Sequence, residues 1–216
     1  MVKEFLEMLS LEGTICKGLF EGVTYPWEIF DNLGEYIINL GKTLSVEEYD
    51  CYGGDIWVSK SAIVKESVSI LGPCIICKGA EIRHCAYLRG NTVIGKGCVV
   101  GNSCEVKSSI LFDGACVPHF NYVGNSILGE CAHLGAGAIT SNLKSDKSLV
   151  VVNGIETGLK KLGAIVGDYA EIGCGAVLNP GAIIGKSSVI YPLSSVRGVV
   201  PSYSIYKEKG KIVRRV

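Results

Sequence analysis

Neither sign of charge prevails in this chain. Its 21 basic residues meet 21 acidic ones, a formal net charge of zero, so no global field draws it to nucleic acid or to an anionic membrane. Long apolar runs are missing as well. None approaches the roughly 18 residues of a membrane-spanning helix. Residues 1–12 scatter acids among apolar residues where a secretory signal would carry an uninterrupted apolar stretch. A soluble, cytoplasmic protein is the expectation. Aromatic residues are few, 8% against 48% hydrophobic, so the core has to be assembled from aliphatic and small side chains.

What the chain does have is a beat of six. Val58, Val64, Ile70, Ile76, Ile82, Leu88, Ile94, Val100 and Val106 follow one another at that interval, and four positions after each stands a residue that is mostly small: Ala62, Val68, Cys74, Ala80, Ala86, Thr92, Cys98, Cys104, Ile110. A strand alternates every two residues and a helix repeats every 3.6, so neither gives a strict six. One aliphatic and one small residue per six is a hexapeptide repeat, in which short parallel strands stack as a β-helix. The aliphatic residue fills a narrow prism and the small one sits where the chain turns a corner. The beat slips to five between Val106 and Leu111 and again between Val123 and Leu128. It stops near Thr140 and resumes from Val166 to Val196. The fold class is therefore mainly β, a parallel β-helix with a short helical segment ahead of it.

Three parts follow. Residues 1–57 form a helical segment, with Pro26 suited to a first turn and Trp27, Phe30, Leu33, Ile37 and Leu40 striping a helix that ends at Gly41. Residues 2–9 read as a second, shorter helix. Such a segment is expected to cap the open end of the first coil, where strand edges are unpaired. Residues 58–200 form the prism, interrupted by a loop at 141–164 that carries Asn142, Lys144, Lys147, Lys160 and Lys161 against Asp146 and Glu156. Loops this long are uncommon and usually functional, and a lysine-rich arm brings positive charge over an anionic ligand. Residues 201–216 form a basic tail with Lys207, Lys209, Lys211, Arg214 and Arg215.

Ten cysteines invite a disulfide or metal reading. Yet Cys74, Cys98 and Cys104 occupy the small slot, where a thiol serves as a compact hydrophobe. Cys74 and Cys77 form a C-x-x-C with no second pair at zinc-ribbon spacing. Reduced, structural cysteines are expected.

The stretch GNSCEVKSSILFDGACVPHFNYVGNSILGECAHLGAGAITSN, residues 101–142, is more specific than the repeat. Its GN-x-x-E-x-K run, H-x-x-Y-x-G step, LGAGAIT-x-N ending and both five-residue slips resemble the acetyltransferase half of the bifunctional bacterial enzyme that makes UDP-N-acetylglucosamine. The longer loop with TGLKKLGAIVGD resembles the archaeal sugar-1-phosphate nucleotidylyltransferase/acetyltransferases. The resemblance covers about residues 80–200. It implies a left-handed β-helix, a parallel homotrimer with a site in each groove between prisms, and acetyl-CoA as cosubstrate along roughly residues 166–197. Residues 1–57 offer no Gly-rich nucleotide loop, so the nucleotidyltransferase half of those families is not expected here.

Acetyl transfer from a thioester to an amine needs a base, donors for the tetrahedral oxyanion and clamps for the acceptor. By the resemblance His119 is the general base and Glu105 the carboxylate that orients its ring. An oriented imidazole titrating near neutrality suits that work. Arg89 and Lys107 match phosphate-binding cations, Tyr122 and Asn142 match residues that contact the sugar, and Lys160 matches the loop lysine, with Lys147 as competitor. His133 stands where the family has a substrate-contacting asparagine, which leaves the acceptor open. The basic tail is available to CoA phosphates or forms a solvated terminal hairpin.

The expected function is thus an acetyl-CoA-dependent N-acetyltransferase for an amino-sugar phosphate, glucosamine-1-phosphate or galactosamine-1-phosphate. Three alternatives stand beside it. An acetyltransferase for another acceptor and a non-catalytic trimeric scaffold both use the same prism. The third is zinc hydration chemistry through His84, His119 and His133, as in hexapeptide carbonic anhydrases, although the gaps of 35 and 14 residues do not fit that family's close pair.

Overall fold

The computed structural model describes residues 2–215, without the side chains of residues 2–4 and 209. Short strands stack into three sheets that form the three faces of a prism, of nine, nine and seven strands, each of the first two counting one antiparallel edge strand, Tyr49–Cys51 and Ile212–Arg214. The first face begins at Ile56–Ser59, the second at Ile63–Val64 and the third at Ser69–Leu71, and each strand lies parallel to the one a full coil later. Val58 pairs with Ile76 and Ile76 with Ile94, a coil of eighteen residues. The two slips shorten it to seventeen, so that Ile94 pairs with Leu111 and Val106 with Val123. Leu128 pairs with Val166 across the loop. The last coil closes at sixteen, Ile184 with Val200, one short turn that the six-residue beat does not register.

The beat is the core. From Ile76 to Val200 the aliphatic residues and the small residues Cys74, Ala80, Ala86, Cys98, Cys104, Ala115, Ala132, Ala138, Ala164, Ala170, Ala176 and Ala182 are buried in one cluster. The residue just before each small one takes a left-handed turn at many corners, as Gly97 (φ 64°) and Ser103 (φ 54°) do. That conformation folds the backbone inward and leaves room for a methyl or a thiol, not a long side chain. The cysteines follow suit: burial pushes the thiols of Cys74 and Cys77 up to about 12, and no disulfide links the described cysteines.

The N-terminal segment does not cap the open end. It runs along the flank of the first face, from the last coils back toward the first. Phe5 and Met8 border Ile183 and Val199, Gly13 O accepts from Asp113 N (2.8 Å), and Gly41 lies so close to the Trp57 ring that a Cβ would fall 2.4 Å from it. The reason is in the strands themselves. On the first face the residue before the inward aliphatic one is also apolar (Trp57, Ile75, Val93, Ile110, Ile127, Ile165, Ile183), and all of these are buried with Phe5, Met8, Leu19, Phe20, Trp27, Leu33 and Ile37 in a second cluster. On the other faces that position holds residues such as Glu81, Glu105, His133 and Glu171. Each fully buried side chain of this kind contributes about 1.5–3 kcal/mol as an upper figure, which is enough to hold a strap of short helices in place. The expected long helix is broken at Asn32 into a 3-10 turn, Pro26–Asp31, and an α-helix, Leu33–Gly41. Ile29 rather than Phe30 is the buried residue of the turn. The first helix is Val2–Glu7. None of the described helices is long and apolar enough to cross a membrane.

The basic tail forms an antiparallel hairpin, Ser204–Tyr206 with Ile212–Arg214, that ends the second face. Arg215 Nη1 donates to Ser187 O (3.0 Å) and Lys207 lies over the Tyr191 ring. The Lys209 side chain lies outside the described residues.

One carboxylate fastens the strap. Asp168, fully buried, accepts from Ser10 N and Glu130 N (2.8 Å each) and from Lys186 Nζ (3.4 Å), while its own N–H donates to Met8 O. Asp168→Ala is expected to destabilise the fold by roughly 1–3 kcal/mol for each orphaned amide. Urea unfolding followed by tryptophan fluorescence measures it, since Trp27 in the strap and Trp57 beneath it are buried together. A loss below about 0.5 kcal/mol would mean that water replaces the carboxylate.

Candidate active site

The third face gathers most of the candidate residues. Glu105 pairs in register with Tyr87 and Tyr122, and Lys107 with Gly124, on the parallel strands Tyr87–Arg89, Glu105–Lys107 and Tyr122–Gly124. Alternation sends Glu105, Lys107 and Tyr122 outward while Val106 and Val123 fill the core. Arg89 Nη1 donates to Glu105 Oε1 at 2.7 Å, and its guanidinium also lies 5.7 Å from the centre of the Tyr87 ring.

Asn142 and Tyr122 meet at the root of the loop. Asn142 Nδ2 donates to Tyr122 Oη (3.2 Å) and to Asn125 Oδ1 (2.7 Å). Gly124 makes this possible, since a Cβ there would stand 2.5 Å from Tyr122 Oη and 2.8 Å from Asn142 Nδ2. That is the physical content of the Y-x-G step. The Tyr122 phenol is raised above its ordinary value by burial first and by the Glu105 charge next. It is therefore a neutral donor at physiological pH.

The loop begins where Thr140 takes an inward slot that elsewhere holds an aliphatic side chain. Its Oγ1 accepts from Gly124 N (2.9 Å) and lies 2.9 Å from Ser126 Oγ, which accepts from Ala164 N (3.0 Å). Exit and re-entry thus share one buried hydroxyl pair. Val150, Val152 and Leu162 pack the loop into the same cluster as the strap, and Val151–Val152 pairs with Ile155–Glu156 as a hairpin. Leu162 N donates to Asn142 O, and Leu143 bridges Lys161, which returns the end of the loop to the third face.

There Lys161, not Lys160, approaches the cluster. The Lys107 ammonium is held below its ordinary value, by burial first and then by repulsion from Lys161 and from Arg89. Lys144 spends its ammonium within the loop, on Ser148 Oγ (2.6 Å) and Leu149 O. Lys160 and Lys147 are exposed, with no partner among the described residues. Lys161 was present in the sequence as one of five polar loop residues, but which of two adjacent lysines faces the prism depends on the path of the loop.

The histidines are distributed differently. His119 ends the strand Cys116–His119 on the second face, exposed, at the corner that leads to Tyr122. Its ring makes no hydrogen bond among the described residues. Glu105, expected to orient it, is engaged by Arg89. The histidine with an oriented ring is His133, whose Nδ1 lies 2.8 Å from Glu171 Oε2 on the second face. His84 is exposed and immediately precedes the left-handed Cys85, as His119 precedes Phe120. No group of three or more His, Cys, Asp or Glu among the described residues is placed to hold a metal ion.

The GMPPB C-terminal domain family matches residues 70–161, a span that contains Arg89, Glu105, Lys107, His119, Tyr122, His133, Asn142 and Lys161. A Methanococcus maripaludis protein named bifunctional protein GlmU is 34% identical over 88% of this chain and 47% of its own length. A Sulfurisphaera tokodaii bifunctional sugar-1-phosphate nucleotidylyltransferase/acetyltransferase is 35% identical over 82% of this chain and 46% of its own. The chain is a homologue of these bifunctional proteins. The GlmU protein of Methanocaldococcus jannaschii, 33% identical, matches 100% of this chain, so the likeness extends into the strap. The chain spans about half the length of the relatives it matches.

Removing the repelling charge tests the geometry of the cation cluster. Lys161→Ala is expected to raise the pKa of Lys107 toward that of an ordinary lysine, since a like charge nearby disfavours the protonated form. The pH dependence of the Lys107 Nζ chemical shift reads it directly. An unmoved titration would place the two ammonium groups apart.

Proposed function

We propose that this protein is an acetyl-CoA-dependent N-acetyltransferase whose acceptor is an amino-sugar phosphate, glucosamine-1-phosphate or galactosamine-1-phosphate. One observation carries the reading: Arg89, Lys107 and Lys161 converge beside the Tyr122–Asn142 pair. Three cations next to neutral donors suit a phosphate attached to a hydroxylated ring. The names of the relatives support it, since the Sulfurisphaera protein is called an acetyltransferase as well as a nucleotidylyltransferase.

In this mechanism the sugar phosphate lies on the third face, its phosphate between the cations and its hydroxyls against Tyr122 and Asn142. His119 takes the proton from the acceptor ammonium. His119 gives that proton to solvent. The freed amine attacks the thioester carbonyl and the C–N bond forms. The nitrogen of the tetrahedral adduct loses a second proton to His119, the C–S bond breaks, and His119 passes this second proton to the departing CoA thiolate. Phosphate arriving at Arg89 would draw the guanidinium off Glu105 and leave that carboxylate free to turn toward His119. Acetyl-CoA would lie along residues 166–197, beyond a notch of about 300 Å³ bordered by Ser141, Lys144, Asn179 and Arg197. A single open face supplies only one wall of a site, and the strap covers the first face alone. A homotrimer in which the second and third faces of neighbouring prisms meet would supply the other wall and bring His133 to the acceptor.

The His133–Glu171 pair favours a second assignment of the base, because a carboxylate-held imidazole is the usual form of one. Comparing variants decides between them. His119→Ala is expected to lower kcat by about 10²–10⁴ with trimer and acetyl-CoA binding intact, and His133→Ala chiefly to raise the acceptor KM. The reverse pattern would transfer the role of base to His133, and near wild-type kcat in both would remove histidine from the chemistry.

The phosphate is tested separately. Lys107→Ala is expected to raise KM for the phosphorylated acceptor roughly tenfold or more, as loss of a charge-assisted bond does, and to leave KM for acetyl-CoA nearly unchanged. The unphosphorylated amino sugar should be a poor substrate and little affected. Equal losses on both acceptors would sink the sugar-phosphate reading. Sedimentation at micromolar concentration is expected to show a trimer, and a monomer would remove the shared site.

A further inference from the structure

We infer that Asn121 positions the catalytic imidazole by locking the backbone of His119. At the corners between the second and third faces the small inward slot is filled by Ala86, Cys104, Ala138 and Ala176, and at the fourth coil alone of these by an amide, Asn121, which is 2% exposed. Placing a primary amide in an apolar prism costs free energy unless each of its donors and acceptors is paired. All of them are. Asn121 Oδ1 accepts from His119 N (3.0 Å) and lies 3.6 Å from the Cys104 thiol, while Nδ2 donates to Gly135 O (2.8 Å) and Ala138 O (3.1 Å) in the next coil. The amide therefore has one orientation, and it ties the corner of His119 to the corner above it.

The other side of the residue is held too. His119 O accepts from Gly137 N (2.9 Å), so one backbone polar group of His119 is held by the Asn121 amide in its own corner and the other by the next coil. Phe120, which follows, is 63% exposed and left-handed (φ 53°), a conformation that a bulky residue adopts only where its surroundings enforce it. This matters because the His119 ring has no hydrogen bond of its own among the described residues. With no side-chain partner to aim the imidazole, its placement relative to Tyr122 and the cations on the third face is set by the backbone, and the backbone is set by Asn121. The inference rests on His119 being the base.

The test uses Asn121→Ala and Asn121→Cys, the residues that the same slot accepts in adjacent coils and so the ones the fold should tolerate. Each is measured alone and combined with His119→Ala, on the trimeric protein with the best amino-sugar phosphate acceptor. Both single variants are expected to lower kcat by up to about 10²-fold, the usual effect of a misplacement of about 1 Å, with KM for acetyl-CoA and acceptor within about twofold of wild type. In the His119→Ala background the same substitutions should cost no further activity, because there is no imidazole left to misplace. Full activity of the folded single variants overturns the inference. So does an equal loss with and without His119, and so does unfolding of both variants, which would assign Asn121 to the fold alone. An active His119→Ala protein would instead bring down the reading of the base, whatever Asn121 does.

Discussion

The inner width of the prism governs everything else in this molecule. Three strands meeting at tight corners leave room for one aliphatic side chain per strand and one methyl or thiol per corner, and nothing larger. Packing at crystal-like density makes that limit strict. It accounts for the beat of six, for the shortage of aromatic residues, and for cysteines buried singly as compact hydrophobes, with no disulfide among the described residues. It also means that function has to be built on the outside, where alternation turns Glu105, Lys107 and Tyr122 outward from strands whose other side chains are committed to the core.

Where the limit is broken, the protein does something. Thr140 and Ser126 put hydroxyls where the repeat has aliphatic or small residues, and the loop leaves and returns through them. Asn121 puts an amide in a slot of alanines and cysteines, next to an exposed histidine. Each departure is fully hydrogen-bonded, as low-dielectric burial requires, and each lies within one coil of the polar cluster on the third face. In these three places polarity in the core holds a part of the surface still.

Much of this was legible in the residues. The inward positions from Ile76 onward, both slips and the loop boundaries follow from periodicity, because a repeat that contacts only its neighbours leaves a local record. The strap was not read, although its signal was there. Trp57–Val58, Ile75–Ile76, Val93–Ile94 and Ile110–Leu111 continue an unbroken run of apolar pairs on the first face, whereas the other faces interrupt theirs with Glu105–Val106 and Glu171–Ile172, and a face apolar throughout must be covered. The choice of Lys161 over Lys160, the engagement of Glu105 by Arg89 and the His133–Glu171 pair depend on side-chain directions and a loop path that no spacing records. His133 and Glu171 are 38 residues apart and become neighbours only because the loop is skipped in the stacking.

The direction of the strap changes the character of the solenoid. A stack of coils ordinarily frays from either end and tolerates the loss of its last repeat, since no repeat depends on a distant one. Here Phe5, Met8 and Ser10 are seated on coils more than 150 residues further along the chain, those of Asp168, Ile183 and Val199. Residues 5–10 find their place only once those distant coils have stacked, so an otherwise local topology acquires its longest-range contacts late in folding. Once seated, the strap couples the first coil to the eighth, and a prism that would melt coil by coil is expected to open as a unit.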